Sequence, residues 1–486
     1  MLRGKRFRRL SVFLGFFTVV ALTNAAATKT TKVRTTAWSQ DRKILSIQLK
    51  DWRRELGYLV DQGYSLAGVD YPNRIADFYV DSTIEPGLRA LMGGAVIEEK
   101  SLATKLAPDA SYQTPAKVDA AIHKFATDFP RLTMLKSIGK SLENRDIFAI
   151  KLSSDPANHD PHRPVVLFNA MHHARELMTS EVGLDTIEYL LSSYGRDQQV
   201  THWLDTMEIW VIPMFNVDGN NKVWTADNMW RKNARGDYGV DINRNYTYAW
   251  NTCNGSSSSK FADDYHGESA GSEPETQVMM NFVREIRPVF DISYHSYSEL
   301  VIYPFGCDGQ RVPNRDVVET IGSELARRLP SDNGSGTYTA GTAWELLYSV
   351  DGGDIDFMYH EYDVLPFVIE LNSRSAGFQP SYATYRDRTV RKLRTGWSYI
   401  LSRAEGPGIR AIVGDRRGNV LAGASMTVER VDKAGTKQTL NVKPDGSVHA
   451  VLMPGSYKVI FGAANVESVT QTIEVTDRRV DLDIGL

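Results

Sequence analysis

Short apolar runs alternate with long helical patterns between residues 112 and 403. The apolar runs lie at residues 164–168, 209–214, 289–292 and 365–369, and only Asp291 interrupts them with a charge. A strand whose successive residues are all apolar is typical of a sheet that helices cover on both faces. The pattern therefore predicts an α/β domain built on a doubly covered sheet.

A smaller pattern at residues 42–99 precedes this domain. The predicted elements are a strand at 44–49, a helix at 51–62, a strand at 75–80, a short helix ending at 92 and a strand at 96–98. Ser82 and Glu85 have the spacing of a capping box before the second helix. This pattern predicts a small α/β unit, and the polar residues 100–112 suit a connector.

The chain changes character after Gly-Pro-Gly at residues 406–408. Short alternating segments follow, separated by turn signals at 415–418, 444–446 and 454–455. No helical period is visible in them. Alternation of this kind predicts a small antiparallel β-sandwich.

Length and charge limit the functions to consider. With 486 residues the chain is long enough for about three domains. Its net charge of −3 gives no reason to expect a nucleic-acid or membrane-surface partner.

The first 27 residues have the order of a secretory signal peptide. Five cations precede residue 10, the mostly apolar residues 10–22 follow, and three alanines stand at 25–27. An apolar segment of 13 residues is short for a bilayer span, so an uncleaved anchor is the weaker alternative. We expect a soluble protein that is secreted, either extracellular or periplasmic.

Two cysteines occur in the chain, Cys253 and Cys307. In an exported protein they can form a disulfide, and they can equally be two buried thiols. Composition leaves both alternatives open.

A candidate metal site begins with His173 and Glu176, shortly after the apolar run at 164–168. The H-x-x-E spacing lets an imidazole nitrogen and a carboxylate oxygen converge on one ion, and Zn²⁺ accepts both. His295 and Glu370 each stand at the end of an apolar run, where α/β sheets carry functional groups. Each signal alone also suits a solvated turn or a packed core residue, so the prediction depends on their combination.

Together these residues resemble the zinc metallocarboxypeptidase family of the pancreatic carboxypeptidase type. The resemblance covers residues 112–400 and depends on several motifs that follow the family's order. These motifs are Ile138-Gly139-Lys140-Ser141 with Arg145, residues 170–176, Asn216-Val217-Asp218-Gly219, Trp230-Arg231-Lys232, residues 239–245 and Ser272-Glu273-Pro274-Glu275-Thr276. The resemblance implies a mixed sheet and a zinc-dependent exopeptidase with one Zn²⁺ per chain, which hydrolyses the C-terminal peptide bond of peptides.

The resemblance implies roles at the metal. His173, Glu176 and His295 would bind zinc, and Asp241 would orient the first histidine. Glu370 would act as general base toward the zinc-activated water.

The resemblance also implies contacts with substrate. Arg231 would polarise the scissile carbonyl. Asn243 and Arg244 would grip the terminal carboxylate, since a planar guanidinium can hold it by two parallel hydrogen bonds. Tyr348 would close over bound substrate, and Arg175 would line the neighbouring subsite.

Four positions bear on which terminal residue is removed. Ile355 and Gly306 stand where basic-specific relatives carry aspartate, and Ala343 should leave the pocket floor roomy. We therefore expect a preference for apolar or aromatic residues with some tolerance of basic ones. Asp354 would add that tolerance if it turns inward, and has no part if it faces solvent.

The sequence departs from the family pattern near the zinc motif. Leu177 stands where the family commonly has tryptophan, and Met171 and His172 replace the more usual lead-in. His172 is an alternative ligand by position, but the H-x-x-E spacing selects His173.

The resemblance extends to the flanking units. The implied organisation is a signal peptide at 1–27, a propeptide at 28–108, a zinc carboxypeptidase catalytic domain at 109–405 and a transthyretin-like β-sandwich at 406–486. Residues 414–424 and 452–457 carry the transthyretin-like match. A propeptide implies an activating protease, and Lys100 and Lys105 make a trypsin-like one plausible.

Two other functions fit the same fold. One is a catalytically inactive peptide-binding homologue, against which the intact candidate residues argue. The other is a carboxypeptidase for peptidoglycan stem peptides, although the carboxylate-gripping residues favour ordinary peptide termini. We expect a monomer with no membrane partner once the signal is removed.

Overall fold

The computed structural model describes residues 41–102, 108–432 and 437–486. The predicted signal peptide at 1–27 and Lys105 lie outside these ranges. Within them, none of the helices combines the length and apolar character that crossing a bilayer requires.

The N-terminal unit is a four-stranded antiparallel sheet with two helices. Its elements are β1 (Lys43–Gln48), α1 (Trp52–Asp61), β2 (Leu66–Asp70), β3 (Ile75–Val80), α2 (Glu85–Met92) and β4 (Val96–Ser101). The strand order β2-β3-β1-β4 is that of ferredoxin-like folds. α1 begins after Asp51, whose carboxylate accepts from the backbone N–H of Arg54. It buries Trp52, Leu56 and Leu59, which lie on one face of the helix.

Two features of this unit differ from the sequence prediction. Strand β2 was not predicted, because it is a five-residue edge strand with Gly68 in its middle. The capping box of Ser82 and Glu85 is wrong, since α2 begins after Ile84 without a side-chain cap. Asp81, not Ser82, supplies the side-chain acceptor in the preceding turn.

The central unit alternates helices and strands, as predicted. Its elements are α3 (Pro115–Asp128), β5 (Thr133–Lys140), β6 (Asp146–Leu152), β7 (Val165–Ala170), α4 (Leu177–Ser193), α5 (Gln198–Thr206), β8 (Glu208–Ile212), α6 (Val217–Thr225), α7 (Pro274–Ile286), β9 (Phe290–Ser296), β10 (Leu300–Tyr303), α8 (Arg315–Arg327), β11 (Thr339–Thr342), α9 (Ala343–Leu346), α10 (Asp354–Tyr362), β12 (Leu365–Leu371) and α11 (Tyr382–Glu405).

One eight-stranded sheet organises this unit, in the order β11-β10-β12-β9-β7-β8-β6-β5. The neighbours β12, β9, β7 and β8 are parallel, whereas the pairs β10–β12, β6–β8 and β5–β6 are antiparallel. Every residue of β7, β8 and β9 is buried, as expected for strands covered on both faces. The prediction of a doubly covered mixed sheet is confirmed.

The C-terminal unit is a sandwich of two small sheets. Its strands are β13 (Gly408–Gly414), β14 (Ser425–Arg430), β15 (Lys437–Asn441), β16 (Ser447–Val451), β17 (Gly455–Gly462), β18 (Val469–Val475) and β19 (Arg479–Gly485). The sheets are β16-β13-β19 and β15-β14-β17-β18, antiparallel except for the parallel pair β13–β19. The β-sandwich is confirmed, and its relation to transthyretin stays a prediction.

Both flanking units pack on the central one. The indole N–H of Trp52 donates to the carbonyl of Leu346 at 3.0 Å, within an apolar cluster that the two units share. On the other flank, the ring nitrogens of His159 lie 2.9 Å from Glu208 and 2.7 Å from Asp445 of the sandwich.

Cys253 and Cys307 form a disulfide. Of the two alternatives that composition leaves open, the structure therefore has the paired one.

Candidate active site

Neighbouring strand ends bring the metal-site candidates together. β7 ends at Ala170, and the following loop carries His173 and Glu176 into the start of α4. His295 lies near the end of β9 and is directly paired with Glu370 of the parallel strand β12. Because the carboxyl ends of parallel strands share one edge of the sheet, these four side chains meet there.

His173, Glu176 and His295 present their donor atoms to one point. Nδ1 of His173 lies 2.8 Å from Oε1 of Glu176 and 3.0 Å from Nδ1 of His295. Oε2 of Glu176 lies 3.3 Å from Nδ1 of His295. Ligands at about 2.0–2.2 Å from a tetrahedral zinc lie roughly 3.3–3.6 Å from one another, so small adjustments let the three close around an ion.

The chemistry of this donor set also fits zinc, since two imidazoles and one carboxylate leave a fourth position open. Burial lowers the pKa of His173, which favours the neutral imidazole that binds metal. Burial opposes ionisation of Glu176, but His173 and His295 hold the pKa of that carboxyl below its usual range. Nε2 of His295 lies 3.2 Å from the hydroxyl of Ser293, a contact that can leave Nδ1 free for metal.

His172, the adjacent histidine, occupies a different environment. Its Nε2 lies 2.9 Å from the hydroxyl of Tyr246 and 3.6 Å from a carboxylate oxygen of Asp354. It forms a second group of possible ligand atoms with His295 and Asp354. Burial lowers the pKa of His172 to about 3, so it is a neutral core residue near neutral pH.

Asp241 links the metal group to Arg231. One carboxylate oxygen lies 3.3 Å from Nε2 of His173, and the other accepts from Arg231 at 2.8 and 3.1 Å. Burial opposes ionisation of Asp241, but Arg231 and His173 hold its pKa well below the ordinary value. A fixed negative charge here can orient both the imidazole and the guanidinium.

Glu370 and Arg231 face the same cavity as the three metal-site residues. This cavity has a volume of about 100 Å³. Burial raises the pKa of Glu370 to about 8, and the carboxylate of Glu176 contributes to the rise. A carboxyl group with a raised pKa is suited to proton transfer near neutral pH.

Asn243, Arg244 and Tyr348 border this cavity as a group. The guanidinium of Arg244 donates to the backbone carbonyl of Asn243 at 2.8 Å and to the hydroxyl of Tyr348 at 3.0 Å. Burial lowers the pKa of Arg244 and the neighbouring Tyr348 and Asp241 raise it, with a net rise, so the cation persists. The group can hold an anion such as a carboxylate.

The candidate specificity residues also line the cavity. Ile355, Ala343 and Gly306 contribute apolar surface to it. Asp354 is buried, so the solvent-facing alternative for this residue is wrong. It stands at the first turn of α10, where one carboxylate oxygen accepts from the N–H of Ile355 at 2.8 Å and the other faces Nε2 of buried His172 at 3.6 Å.

Arg175 is covered by the N-terminal unit. Its guanidinium carbon lies 4.3 Å from the ring centre of Phe378 and 4.7 Å from that of Tyr79 in β3. It also donates to the carbonyl of Met229 at 3.2 Å and contacts Asp263 at 3.3 Å. The guanidinium therefore contacts two aromatic rings, one of them from the N-terminal unit.

Strand β2 lies at the mouth of the cavity. Residues 66–68 line it together with the metal-site residues. A Cβ added at Gly68 would lie 2.4 Å from the ring of Tyr297, and the N–H of Val69 donates to the hydroxyl of Ser298 at 2.9 Å. The N-terminal unit therefore obstructs the approach to the candidate site.

Sequence reasoning missed two buried carboxylates beside the specificity residues. Asp356 accepts from the backbone N–H of Gly306 at 2.8 Å, and Asp351 accepts from backbone N–H groups of the loop that contains Cys253. The acidic residues at 351, 354 and 356 surround the pocket position Ile355. That clustering was the available signal.

The sequence profile of the zinc carboxypeptidase family matches residues 118–392. Bovine (Bos taurus) carboxypeptidase B is 27% identical over 54% of this chain and 63% of its own length, and bovine carboxypeptidase A1 is 30% identical over 54% and 62%. The chain thus spans less than two thirds of the length of these relatives. The crystal structure of carboxypeptidase A from Helicoverpa armigera has the same fold, with a TM-score of 0.64 and 22% identity over 76% of this chain and 98% of that one.

Proposed function

Because the chain belongs to the zinc carboxypeptidase family, we propose that it removes single residues from the C-terminal end of peptides. The observation that carries this proposal is one cavity. It joins a metal-binding group, a candidate base in Glu370 and an anion-binding pair in Arg244 and Tyr348. Hydrolysis at a terminus requires these three functions within one residue's length of each other.

Each side chain has a chemical task in this proposal. When bound, zinc supplies Lewis acidity that favours attack of water on a peptide carbonyl. Glu370 takes the proton of the attacking water and later gives it to the leaving amine. Arg231, fixed by Asp241, donates to the oxyanion that develops on the carbonyl.

Restriction to a free terminus follows from the Arg244 group. A guanidinium can hold a carboxylate by two parallel hydrogen bonds, with Asn243 beside it and the hydroxyl of Tyr348 as a further donor. A peptide bond within a chain offers no carboxylate at this point. Recognition of the terminus therefore selects the last bond.

The pocket supports a preference for apolar or aromatic terminal residues. Ile355 and Ala343 line it, and Gly306 adds no side chain. Asp354 is a buried carboxylate in the same lining, and its second oxygen has no hydrogen-bond partner among the described residues. It can add tolerance of Lys and Arg, so selectivity should be graded.

We also propose that the protein is exported as an inactive precursor. The first 27 residues support export, and residues 28–108 would be the propeptide. The contact of Gly68 with Tyr297 and the covered Arg175 support latency, since both obstruct substrate. Residues 406–486 would be an accessory transthyretin-like domain.

The deciding experiment follows the release of terminal residues from a defined peptide library. It uses protein cut between residues 100 and 110, with and without a zinc chelator. We expect free C-terminal amino acids that disappear with chelator and return with added Zn²⁺. Bound zinc without any release would instead favour an inactive peptide-binding homologue. Release from purified muropeptides but not from peptides would favour the peptidoglycan alternative.

A further inference from the structure

The loop of residues 348–353, between α9 and α10, connects two parts of the proposed site. On one side, the backbone N–H of Val350 donates to the carbonyl of Gly306 at 3.0 Å. On the other side, the carbonyl of Gly352 accepts from the N–H of Tyr246 at 2.9 Å. The loop therefore contacts both the pocket wall and the segment that carries Arg244.

The backbone packs so closely at Gly352 and Gly306 that neither position has room for a side chain. A Cβ added at Gly352 would lie 2.4 Å from the carbonyl oxygen of Arg244, and one at Gly306 would lie 2.5 Å from that of Val350. Tyr348 is the first residue of the loop, and its hydroxyl accepts from the guanidinium of Arg244 at 3.0 Å. A displacement of the loop would therefore change the anion-binding pair and the pocket wall together.

The side chain of Asp351 fixes the loop to residues 253–256. Its side chain is fully buried, and one carboxylate oxygen accepts from the backbone N–H groups of Cys253 and Gly255, both at 3.0 Å. The other oxygen accepts from the hydroxyl of Ser256. Hydrogen bonds to an ionised acceptor are stronger than neutral ones, and their loss leaves buried N–H groups unpaired.

The disulfide completes the connection. Cys253 provides one of the N–H groups that Asp351 accepts, and its partner Cys307 directly follows Gly306. Asp351, Cys253, Gly255, Ser256 and Cys307 thus tie the loop to the pocket wall by a second route. We call these five residues the Asp351 brace.

We propose that the Asp351 brace positions the anion-binding pair of Arg244 and Tyr348 and the pocket wall at Gly306. Asp351 is a positioning residue, since it lies within the loop and its side chain contacts residues 253–256 rather than the substrate. The proposal rests on the proposed carboxypeptidase function. The metal-site residues and Glu370 lie on other elements, so loosening the brace should weaken substrate binding more than the chemical step.

The test compares Asp351→Asn with Asp308→Asn in the cut, zinc-loaded protein, using a peptide that ends in phenylalanine. Asp308 is a matched control, because it follows Cys307 but its side chain is 71% exposed and contacts Arg53 of the N-terminal unit. We expect KM to rise about tenfold or more in Asp351→Asn, with kcat within about threefold, because misplacement of binding groups is costly. Zinc content should stay at one per chain, and Asp308→Asn should match wild type.

A second arm reduces the disulfide of folded wild type with a phosphine, with thiols and zinc counted afterwards. We expect the same rise in KM, and a smaller further rise in Asp351→Asn, because the two changes act on one unit. Ser256→Ala replaces Asp351→Asn if that variant does not fold. A folded variant, or reduced wild type, with unchanged KM would overturn the proposal.

Binding of N-acetylphenylalanine, measured by calorimetry, gives the same comparison without turnover. We expect weaker binding in Asp351→Asn and in reduced wild type than in the Asp308→Asn control. Equal binding in all of them would refute the brace. Absence of turnover in wild type would refute only the proposed reaction, so the two failures are distinguishable.

Discussion

The Nδ1 atoms of His173 and His295 lie 3.0 Å apart, and both face the carboxylate of Glu176. Two neutral imidazoles cannot both direct lone pairs at each other over this distance without repulsion. A cation that accepts both lone pairs and the carboxylate removes that conflict. Zinc should therefore stabilise the folded chain as well as serve the proposed reaction, in the way of any ligand that binds only the native state.

The first prediction separates metal binding from base catalysis. His295→Ala should lose zinc, because it removes a ligand, whereas Glu370→Gln should keep it. Turnover by Glu370→Gln should fall by about 10²–10⁴, the usual worth of a general base. Elemental analysis and single-substrate kinetics measure the two effects. Glu370→Gln activity above roughly a tenth of wild type would remove Glu370 from the reaction.

The second prediction concerns the terminal residue. Peptides ending in Phe or Leu should have a higher kcat/KM than those ending in Lys or Arg, with graded steps of about 1–3 kcal/mol. Asp354→Asn should lower the values for Lys and Arg relative to Phe, since it removes a buried charge from the pocket lining. A tenfold or greater preference of wild type for Arg over Phe would contradict the apolar assignment. Such a ratio of kcat/KM corresponds to a difference of about 1.4 kcal/mol in transition-state stabilisation.

The third prediction concerns latency. The guanidinium of Arg374 contacts Asp77 of β3 at 2.7 Å and also Glu98 of β4, so it connects the central and N-terminal units. Arg374→Ala leaves Asp77 buried without this partner and should raise the activity of uncut precursor. Activity after cutting should not change.

The matched control for latency is Arg391→Ala, an exposed arginine of α11 that bonds within its own helix. Peptide hydrolysis by uncut and cut protein is compared for both variants and wild type. Full activity of uncut wild type would show that the N-terminal unit is a permanent accessory part.

The fourth prediction concerns pH and the sandwich. Hydrogen bonds that protonated His159 donates to the carboxylates of Asp445 and then Glu208 raise its pKa from 6.5 to about 9. A pKa raised by folding means that protonated His159 stabilises the native state most below pH 6.5 and loses this contribution as pH rises to about 9. The thermal midpoint of wild type should therefore fall over this window more than that of His159→Gln.

His162→Gln is the control for this measurement, because His162 is exposed and bonds to Asp160 in its own turn. It should keep the wild-type pH dependence. Parallel pH profiles for wild type and His159→Gln would show that His159 does not link the two units.

The central sheet was predictable because its signal is repeated along the chain. β7 and β12 begin as continuous apolar runs and β9 as one that Asp291 interrupts, and burial on two faces leaves few other choices for such segments. His295 and Glu370 could be placed at strand ends for the same reason. Their direct pairing across β9 and β12 could not, since register depends on the neighbours of each strand.

The contacts of the N-terminal unit were outside the reach of pattern reasoning. β2 is short, and in the sequence Gly68 looks like a strand breaker, whereas in the structure it allows the close approach of Tyr297.

In the sequence, Asp351 and Asp354 look like surface residues, because aspartate is usually exposed. Both are buried against segments distant in the chain, Asp351 against residues 253–256 and Asp354 against His172. The residues next to them in sequence do not indicate these distant partners.

The parallel pairing of β13 with β19 bears on the order in which the protein folds as it is synthesised. The sheet of the N-terminal unit is complete once Ser101 has left the ribosome. In the sandwich, by contrast, one edge of the first strand, β13, stays unpaired until residues 479–485 of β19 have been synthesised. An uncovered edge can pair with another chain, so slow synthesis of this last segment should favour aggregation at the sandwich.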